Sequence, residues 1–295
     1  MPFLLKARPL GILLLLFAAA CTRELPRHVP EADDFGDPII VKSPPRRVVS
    51  LNPATTDLVF ALGAGNRLVG RTHWDSYPDS AKYVPDLGSG IRPNVEAVLG
   101  ARPDLVLLYA SNDNRAAASE LRASGVNTLS LKIDHIADFH RAARTIAFLL
   151  GDSTRGAIVS DSVERTLRRV REMTAKLSKP RVFWHIWDAP LITIGQGSYM
   201  NELVEIAGGV NIYSDFPEPS PTVSIEDVLK RNPDYIITGP EGSTKIRTDP
   251  RWAAFKAVKT GKIFVVDTAV VGRPSVRLGE AALSLARLFH PAEIR

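Results

Sequence analysis

The sequence predicts an α/β fold of two Rossmann-like lobes, each with a mainly parallel sheet, joined by one long α-helix. Three observations predict it: apolar runs that alternate with helical patterns from residue 46 onward, one long amphipathic pattern at 153–178, and a weak repeat between the halves. Alternating strands and helices are typical of parallel sheets covered by helices. A length of 295 residues also exceeds that of one typical domain.

The first 21 residues have the features of an export signal. Lys6 and Arg8 precede an apolar run at 10–20, which is the order found in a signal peptide. The run is too short to span a bilayer, since a span takes about 20 apolar residues. We therefore expect 1–20 to be a signal peptide, and no later segment of the sequence has the length and apolarity of a membrane span.

Cys21 is the single cysteine of the chain, which excludes an intrachain disulfide. Residues 18–21 (AAAC) resemble the lipobox of bacterial lipoproteins, and this resemblance implies that Cys21 is lipidated and becomes the new N-terminus. The alternative is an ordinary signal followed by a chance cysteine. Residues 21–45 are rich in proline and acidic side chains, which predicts a lipidated N-terminus followed by a flexible tether.

Residues 46–152 are expected to form the N-terminal lobe. Its strands are predicted at 48–51, 105–109 and 127–131, and its helices at 55–62 and 114–123. Both helices are followed closely by a glycine, which is a common helix end. Residues 179–295 are expected to form the C-terminal lobe, which begins with a strand at 181–184 and closes with a helix at 276–289.

Residues 153–178 join the two lobes. Charged side chains alternate with apolar ones that recur every three or four positions. The apolar positions are Val159, Val163, Leu167, Val170, Met173 and Leu177. This period predicts an amphipathic helix. No proline interrupts it before Pro180, so we expect one continuous linking helix of roughly 39 Å.

An internal duplication supports the two-lobe prediction. Residues 94–99 (NVEAVL) match 224–229 (SIEDVL), and in each copy a Pro-Asp pair and an apolar strand follow. Upstream, Asp57-Leu58-Val59 with a following glycine matches Glu202-Leu203-Val204 with a following glycine. Two matches in the same order indicate related lobes. The first copy carries additional residues around 71–92.

Composition and motifs exclude several classes of function. The net charge of +5 is modest and spread along the chain, so nucleic-acid binding has no support. Phosphate loops, nucleophile elbows and zinc-protease motifs are absent from the sequence, and the six histidines lack metal-ligand spacing. We therefore expect a protein that is not an enzyme and has no bare metal site. A two-lobed α/β enzyme of the cell envelope remains the rival class.

The sequence resembles the helical-linker class of ABC-importer binding proteins over residues 46–291. Residues 50–57 (SLNPATTD), 75–78 (DSYP) and 208–212 (GGVNI) carry this resemblance. The class includes the cobalamin, ferric siderophore and haem binders, and the similarity is closest to the cobalamin-binding branch. The tryptophan that cobalamin binders often carry before each docking helix is missing, because residues near Gly90 and Ser220 stand in those places.

The resemblance implies an exported, extracytoplasmic binding protein of the cell envelope or periplasm, held at a membrane through lipidated Cys21. Its ligand would be a transported metal chelate, either a cobalt corrinoid such as cobalamin or a ferric siderophore, and its partner an ABC permease dimer. We expect a monomer with no covalent cofactor. One alternative is a haem binder of the same class, and another is a lipoprotein that docks to a protein partner without a small ligand.

Glu96 and Glu226 are the candidate docking residues. In the family, one exposed glutamate on each lobe pairs with arginines of the permease, and these two positions match that pattern. Two separated acids also define an axis for charge-guided docking. The alternative is a role within the helix, since both glutamates follow an N-cap residue and a negative charge is favourable in a first turn.

The candidate ligand contacts lie in the additional loop of the N-terminal lobe, after the first strand of the C-terminal lobe, and on two further predicted loops that carry arginines. They are His73, Trp74, Tyr77, Trp187, Tyr199, Arg92 and Arg273. Aromatic walls suit a macrocycle or a catecholate, arginines suit an anionic chelate, and the family resemblance places Tyr77 at a ligand contact. Core packing is the alternative for Trp74, Trp187 and Tyr199. A solvated surface charge is the alternative for the arginines, and for Lys245 and Arg247. In the haem alternative, His73 or His185 would bind the iron.

Overall fold

The computed structural model describes residues 30–294. The predicted signal peptide at 1–20 and the predicted lipidation at Cys21 lie outside the described residues. Within 30–294, no helix combines the length and the apolar character that a membrane crossing requires.

The N-terminal lobe is a parallel sheet covered by helices. Its strands are β1 (Val48–Ser50), β2 (Leu68–Gly70), β3 (Leu105–Tyr109) and β4 (Asn127–Leu131), in the order β2-β1-β3-β4. Its helices are α1 (Pro53–Ala61), α2 (Val95–Gly100), α3 (Asn112–Ala123) and α4 (Ile136–Leu150). Buried Leu and Val side chains fill three of the strands, as expected for a sheet with both faces covered.

The linking element is α5 (Ser153–Thr174). Gly151 ends α4 in the left-handed conformation, with φ of 89°, and the side chain of Asp152 caps the next helix by accepting a hydrogen bond from the Arg155 amide. The chain therefore reverses between α4 and α5, and the two helices pack against each other. The helix is shorter at its C-terminal end than the predicted 153–178.

The C-terminal lobe repeats the architecture of the first. Its strands are β5 (Arg181–His185), β6 (Trp187–Asp188), β7 (Leu191–Ile192), β8 (Val210–Asn211), β9 (Tyr235–Thr238) and β10 (Ile263–Val265). Its helices are α6 (Tyr199–Ile206), α7 (Ile225–Arg231), α8 (Pro240–Thr248), α9 (Lys256–Lys259), α10 (Thr268–Val271) and α11 (Leu278–Phe289). The parallel sheet has the order β10-β9-β5-β8, and β6 and β7 form a separate antiparallel hairpin.

Both sheets have the same connectivity. When the second sheet is read as β8-β5-β9-β10, each of its strands takes the place of one strand of β2-β1-β3-β4. The matching helices begin alike: Asn94 caps α2 by accepting from the Ala97 amide, and Ser224 caps α7 by accepting from the Asp227 amide. The predicted α/β class with two Rossmann-like lobes is confirmed.

One apolar core cluster runs through both lobes, and each lobe has a smaller cluster of its own. The shared cluster contains buried side chains of α4 and α5 together with those of α6 and α11. Leu167 of α5 is fully buried at the centre of this arrangement. Because the linking helix packs against both lobes, we expect the lobes to move little relative to one another.

The predicted flexible tether at 21–45 is corrected for its described part, residues 30–45. Asp33 is 5% exposed and its carboxylate accepts hydrogen bonds from the Ser130 amide and the Arg122 guanidinium. Asp34 accepts from the Arg141 guanidinium, at 2.9 Å. Asp33, Asp34 and Asp37 are instead partners of basic groups and amides on the N-terminal lobe, and they fix this segment to its surface.

Candidate functional site

A cleft lies between the two lobes and consists of two adjoining cavities. The N-side cavity has a volume of about 350 Å³ and belongs mainly to the N-terminal lobe. The C-side cavity has a volume of about 560 Å³ and belongs mainly to the C-terminal lobe. Thr268 and Gly272 line both, so the two cavities are parts of one cleft. Their walls include the residues that end β3, β5 and β9, and the carboxyl ends of parallel strands are the usual place for a ligand.

The N-side cavity combines aromatic, apolar and cationic groups. Trp74 is 64% exposed on its wall, and Tyr109 ends β3 beside it. The Tyr109 hydroxyl donates to the Asp134 carboxylate at 2.5 Å, and burial together with this acid raises the pKa of Tyr109 above its usual range. Arg273 reaches the cavity from the C-terminal lobe. The cavity therefore offers a flat ring, a phenol and a guanidinium.

Two buried carboxylates, those of Asp57 and Asp75, lie close to Arg273. Asp57 is 1% exposed and Asp75 is 3% exposed, and Nη1 of Arg273 is 3.8 Å from Oδ1 of Asp57. Burial raises the pKa of Asp57 to about 7, although the positive charge of Arg273 opposes the shift. Burial also raises the pKa of Asp75, despite a hydrogen bond of 2.5 Å from the Thr72 amide.

The C-side cavity contains a hydrogen-bonded network of polar side chains at the end of β5. Nε2 of His185 is 2.8 Å from Asp188, its Nδ1 is 3.0 Å from the Thr238 hydroxyl, and Lys245 donates to Asp188 at 2.7 Å. Burial opposes ionisation of Asp188, but the hydrogen bonds from Lys245 and His185 outweigh it and lower its pKa. Gly242 allows this approach, because a Cβ there would collide with Thr238 and His185.

The predicted ligand contacts are partly brought together. Trp74 and Arg273 line the N-side cavity, and Trp187, which is 56% exposed, lines the C-side cavity. Lys245 lies 6.0 Å from the centre of the Trp187 ring. An aromatic ring therefore stands in each cavity, and the two belong to different lobes.

Three predicted contacts lie near the cleft without lining either cavity. His73 is exposed and its ring centre is 4.5 Å from that of Trp74. Tyr77 is covered on one face by the guanidinium of Arg277, at 4.7 Å from the ring centre. Arg92 is exposed and pairs with Asp113 at 2.7 Å, and it directly follows Ile91, which lines the N-side cavity.

Tyr199 is placed in the core instead of the cleft. It is 7% exposed, belongs to the core shared by the lobes, and donates its hydroxyl to the Val271 carbonyl at 2.9 Å. This position favours the core alternative for Tyr199. Its hydroxyl stabilises the end of α10, and α10 lies where the two cavities join.

Three acids at or next to the cleft are not among the ligand contacts predicted from sequence. Asp188 lines the C-side cavity and pairs with Lys245, Asp57 lies 3.8 Å from Arg273, and the buried Asp75 acts on Asp57. The duplicated motif that contains Asp57 was the one signal available in the sequence. Among residues 30–294, no group of three or more His, Cys, Asp or Glu side chains could hold a metal ion.

The candidate docking residues are both exposed in the first turn of matching helices, Glu96 on α2 and Glu226 on α7. Neither forms an ion pair with another described residue. The two N-cap bonds are made by Asn94 and Ser224, so the capping alternative leaves both carboxylates free to contact a partner. Arg251 and Glu226 line the same small cavity of the C-terminal lobe, but the Arg251 guanidinium is bonded to Asp249.

The family model of periplasmic binding proteins matches residues 48–270. The chain belongs to the periplasmic binding protein family. This membership confirms the resemblance found in the sequence, and the matched range spans both lobes and the linking helix of this periplasmic binding protein.

Individual relatives agree with the family assignment. The uncharacterised ABC transporter substrate-binding lipoprotein YvrC of Bacillus subtilis is 28% identical over 267 residues, which cover 88% of this chain and 84% of that protein. The vitamin B12-binding protein of Vibrio cholerae is 27% identical over 242 residues, covering 81% and 87%. A crystal structure of a possible iron-binding, periplasmic solute-binding protein from Staphylococcus epidermidis has a TM-score of 0.74 at 26% identity, covering 83% and 99%.

Proposed function

We propose that this periplasmic binding protein is the extracytoplasmic substrate-binding lipoprotein of an ABC importer. It captures a metal chelate, either a cobalamin-type corrinoid or a ferric siderophore, and delivers it to the permease dimer. The observation that carries the proposal is the cleft between the lobes, with Trp74 in one cavity and Trp187 in the other.

The size and chemistry of the cleft favour a chelate over a bare ion. Cavities of about 350 and 560 Å³ that share two lining residues have the size of a small-molecule site. Exposed tryptophan rings provide flat apolar contacts for a macrocycle or a catecholate. Arg273 and Lys245 place one cationic group in each cavity, which suits the carboxylate, phosphate or catecholate oxygens of such ligands.

Similarity to named proteins supports the same ligand class. The Vibrio cholerae relative is a vitamin B12-binding protein and the Staphylococcus epidermidis neighbour is described as possibly iron-binding. A corrinoid and a ferric siderophore are both large metal complexes with polar peripheral groups. We therefore propose the metal complex as the class of ligand and keep both members of it as candidates.

Haem is the alternative ligand within this class. Both ring nitrogens of His185 are engaged, with Asp188 and Thr238, so this side chain offers no free ligand atom to an iron. His73 is exposed beside Trp74, outside the lining of either cavity. A haem would therefore need a rearrangement of His73 or an oxygen ligand such as Tyr109. An envelope enzyme is disfavoured, because the family is one of binding proteins.

Delivery is proposed to use Glu96 and Glu226, which are exposed and unpaired at matching places on the two lobes. Two such acids fit two basic sites of a permease dimer, and one binding protein monomer would engage both halves. The relative in Bacillus subtilis is a lipoprotein, which supports the proposed lipid anchor at Cys21 and a location at the cell envelope.

The test is a ligand titration of the Cys21→Ser chain, read by tryptophan fluorescence, with cyanocobalamin, haemin, a ferric catecholate and a ferric hydroxamate. We expect one of the cobalamin or siderophore ligands to quench fluorescence and saturate. The same ligand should stabilise the fold by about 2.7 kcal/mol at 100 times its Kd. Saturable binding of haemin alone would favour the alternative. If none of the four raises the melting temperature, the chelate proposal is wrong.

A further inference from the structure

The two duplicated acids of the sequence each reach across to the opposite lobe. Asp57 on α1 of the N-terminal lobe faces Arg273 of the C-terminal lobe, with 3.8 Å between Oδ1 and Nη1. Glu202 occupies the matching place on α6 of the C-terminal lobe and accepts from the N-terminal lobe. Its Oε1 is 2.9 Å from Nδ1 of His135 and 3.3 Å from the Ile136 amide.

Local helix chemistry does not account for this pair of contacts. The side-chain caps of α1 and α6 are supplied by Asn52 and Ser198, so neither acid is needed as a cap. Glu202 gains from its place in the first turn of α6. Asp57 lies deeper in α1, where the helix offers a carboxylate no free amides. Contact with the other lobe is the property that the two acids share.

The contacts differ in burial. The side chains of Asp57 and Arg273 are 0% and 13% exposed, whereas those of Glu202 and His135 are 32% and 48% exposed. Both carboxylate oxygens of Asp57 and Nη1 of Arg273 are buried without a hydrogen-bond partner among the described residues. Such groups are costly when left unpaired, and a distance of 3.8 Å is too long for the bond that would satisfy them.

The charged groups around Asp57 explain why it can change state. Asp75 acts on it from the N-terminal lobe, and Arg273 and Arg277 act from the C-terminal lobe. Within 30–294, no charge from β1 or α4, which also pack against α1, contributes. Burial raises the pKa of Asp57 to about 7. The acid is therefore neutral in mildly acidic solution and ionised in mildly alkaline solution.

His135 has its own charged surroundings. Glu202 faces it from α6, Asp138 accepts a hydrogen bond from its backbone amide, and Asp134 with its partner Lys132 precedes it. The His135–Glu202 contact is an ion pair only when the imidazole is protonated. Acidification neutralises Asp57 at the other contact between the lobes.

We propose that Asp57 and Glu202 are positioning residues that set the separation of the lobes in a proton-dependent way. Ionised Asp57 draws Arg273 towards the N-terminal lobe, and the contact of Glu202 with His135 holds the lobes together when Asp57 is neutral. This inference rests on the proposed function, because Arg273 lines the N-side cavity and its movement changes the width and charge of the cleft. Ligand-free protein nevertheless tests it without any ligand.

The experiment measures the distance between two spin labels across the cleft. The labels are attached to Ser119→Cys on α3 and Thr244→Cys on α8, both exposed, in the Cys21→Ser chain. With native Asp57 and Glu202, we expect the mean distance to shorten by about 1 Å between about pH 5 and about pH 8. This is the movement that turns a contact of 3.8 Å into a charge-assisted hydrogen bond.

Three variants separate positioning from general stability. Asp57→Asn should keep the longer distance at both pH values, because the amide imitates the neutral acid in size and charge. Glu202→Gln should lengthen the distance at both pH values and keep the pH response, because this variant weakens only the contact with His135. The control is Glu205→Gln, the same change on the same helix. Among the described residues the Glu205 side chain bonds only to Asn201 of its own lobe, so this variant should follow the parent chain.

A parent chain whose label distance is independent of pH would overturn the proposal, and so would an Asp57→Asn variant that follows the parent. Neither outcome bears on the identity of the ligand, which is tested by the ligand titration. Conversely, a failed titration with an intact pH response would refute the chelate and leave the positioning role standing.

Discussion

Asp104 and Asp234 make the same contact in the two lobes. The Asp104 carboxylate accepts from the Arg47 amide at 3.0 Å, and that of Asp234 accepts from the Arg181 amide at 3.0 Å, in each case at the start of the lobe's first strand. The repeated Pro-Asp pair of the sequence thus joins the helix before β3 or β9 to the neighbouring strand.

Asp234→Ala is expected to destabilise the C-terminal lobe by about 1–2 kcal/mol, because a charge-assisted bond to a backbone amide is lost. Asp234 also accepts from Lys256 at 2.8 Å. Burial opposes its ionisation, but the bonds from Lys256 and the Arg181 amide prevail and lower its pKa. Its contribution is therefore present at neutral pH and is lost as the pH falls through the folded-state pKa.

Urea unfolding at neutral and acidic pH checks this. Asp113→Ala, which removes an exposed acid from the surface of the N-terminal lobe, is the control and should change the free energy of unfolding less. Equal effects of the two variants at neutral pH would show that the Asp234 contact adds nothing particular.

Glu96→Ala and Glu226→Ala are each expected to reduce uptake in cells severalfold without changing ligand affinity. Both carboxylates are exposed and bond to no other part of the described chain, and charge pairs at an interface act chiefly on orientation and association rate. Glu120→Ala is the matched control, since it removes an exposed glutamate on α3. Uptake by both variants equal to that of the control would contradict the docking role, as would a tenfold loss of ligand affinity.

The sequence predicted the order of elements and the duplication, because both depend on local periodicity and on repeated motifs. It did not decide which aromatic residues face the cleft. Trp187 and Tyr199 both follow the strand predicted at 181–184, yet the first is 56% exposed and the second 7%. The difference arises from the packing of α6 against α5 and α11, which no local pattern encodes.

The buried contact between Asp57 and Arg273 could not be predicted from the sequence for the same reason. Asp57 and Arg273 lie far apart in the chain and meet only after both lobes have folded around α5. The acids in 30–45 suggested a solvated tether, because composition does not reveal that Arg122 and Arg141 stand opposite them. Local patterns therefore predict the architecture, whereas the charge contacts between distant segments depend on the tertiary structure.

The free energy of unfolding of the ligand-free protein should fall relative to that of Asp57→Asn as the pH rises. Burial raises the pKa of Asp57 to about 7 in the folded chain, so folding binds a proton below that value. The stabilising contribution is fully present below the unfolded-state pKa of about 3.9 and is lost as the pH rises through about 7. Melting temperatures measured at intervals from about pH 5 to about pH 8 test this.

The variant has no carboxyl at this position to titrate, so its advantage should grow up to about pH 7 and then level off. A difference between the two proteins that stays constant over this range would mean that Asp57 is ionised throughout.

Trp74→Ala and Trp187→Ala should each raise the Kd for the ligand by about two- to tenfold, since a stacked ring contributes about 0.5–1.5 kcal/mol. Isothermal titration calorimetry measures this without depending on tryptophan fluorescence. Tyr83→Ala is the control: the ring is 81% exposed in the same additional loop as Trp74 and lines neither cavity. If the control weakens binding as much as either tryptophan variant, the loop contributes through its fold and the rings do not stack on the ligand.

Arg122→Ala should release the segment at 30–45 from the N-terminal lobe. The guanidinium bonds to Asp33 and pairs with Asp37, and its removal leaves the nearly buried Asp33 with only backbone amides to compensate its charge. We expect a cost of about 1–3 kcal/mol, borne mainly by this segment. Limited proteolysis should then cut within 30–45 faster than in the parent chain, while Arg165→Ala, an exposed arginine on α5, should leave the rate unchanged. Unaltered cleavage in Arg122→Ala would indicate that Asp34 and the apolar contacts of Ile39 hold the segment without it.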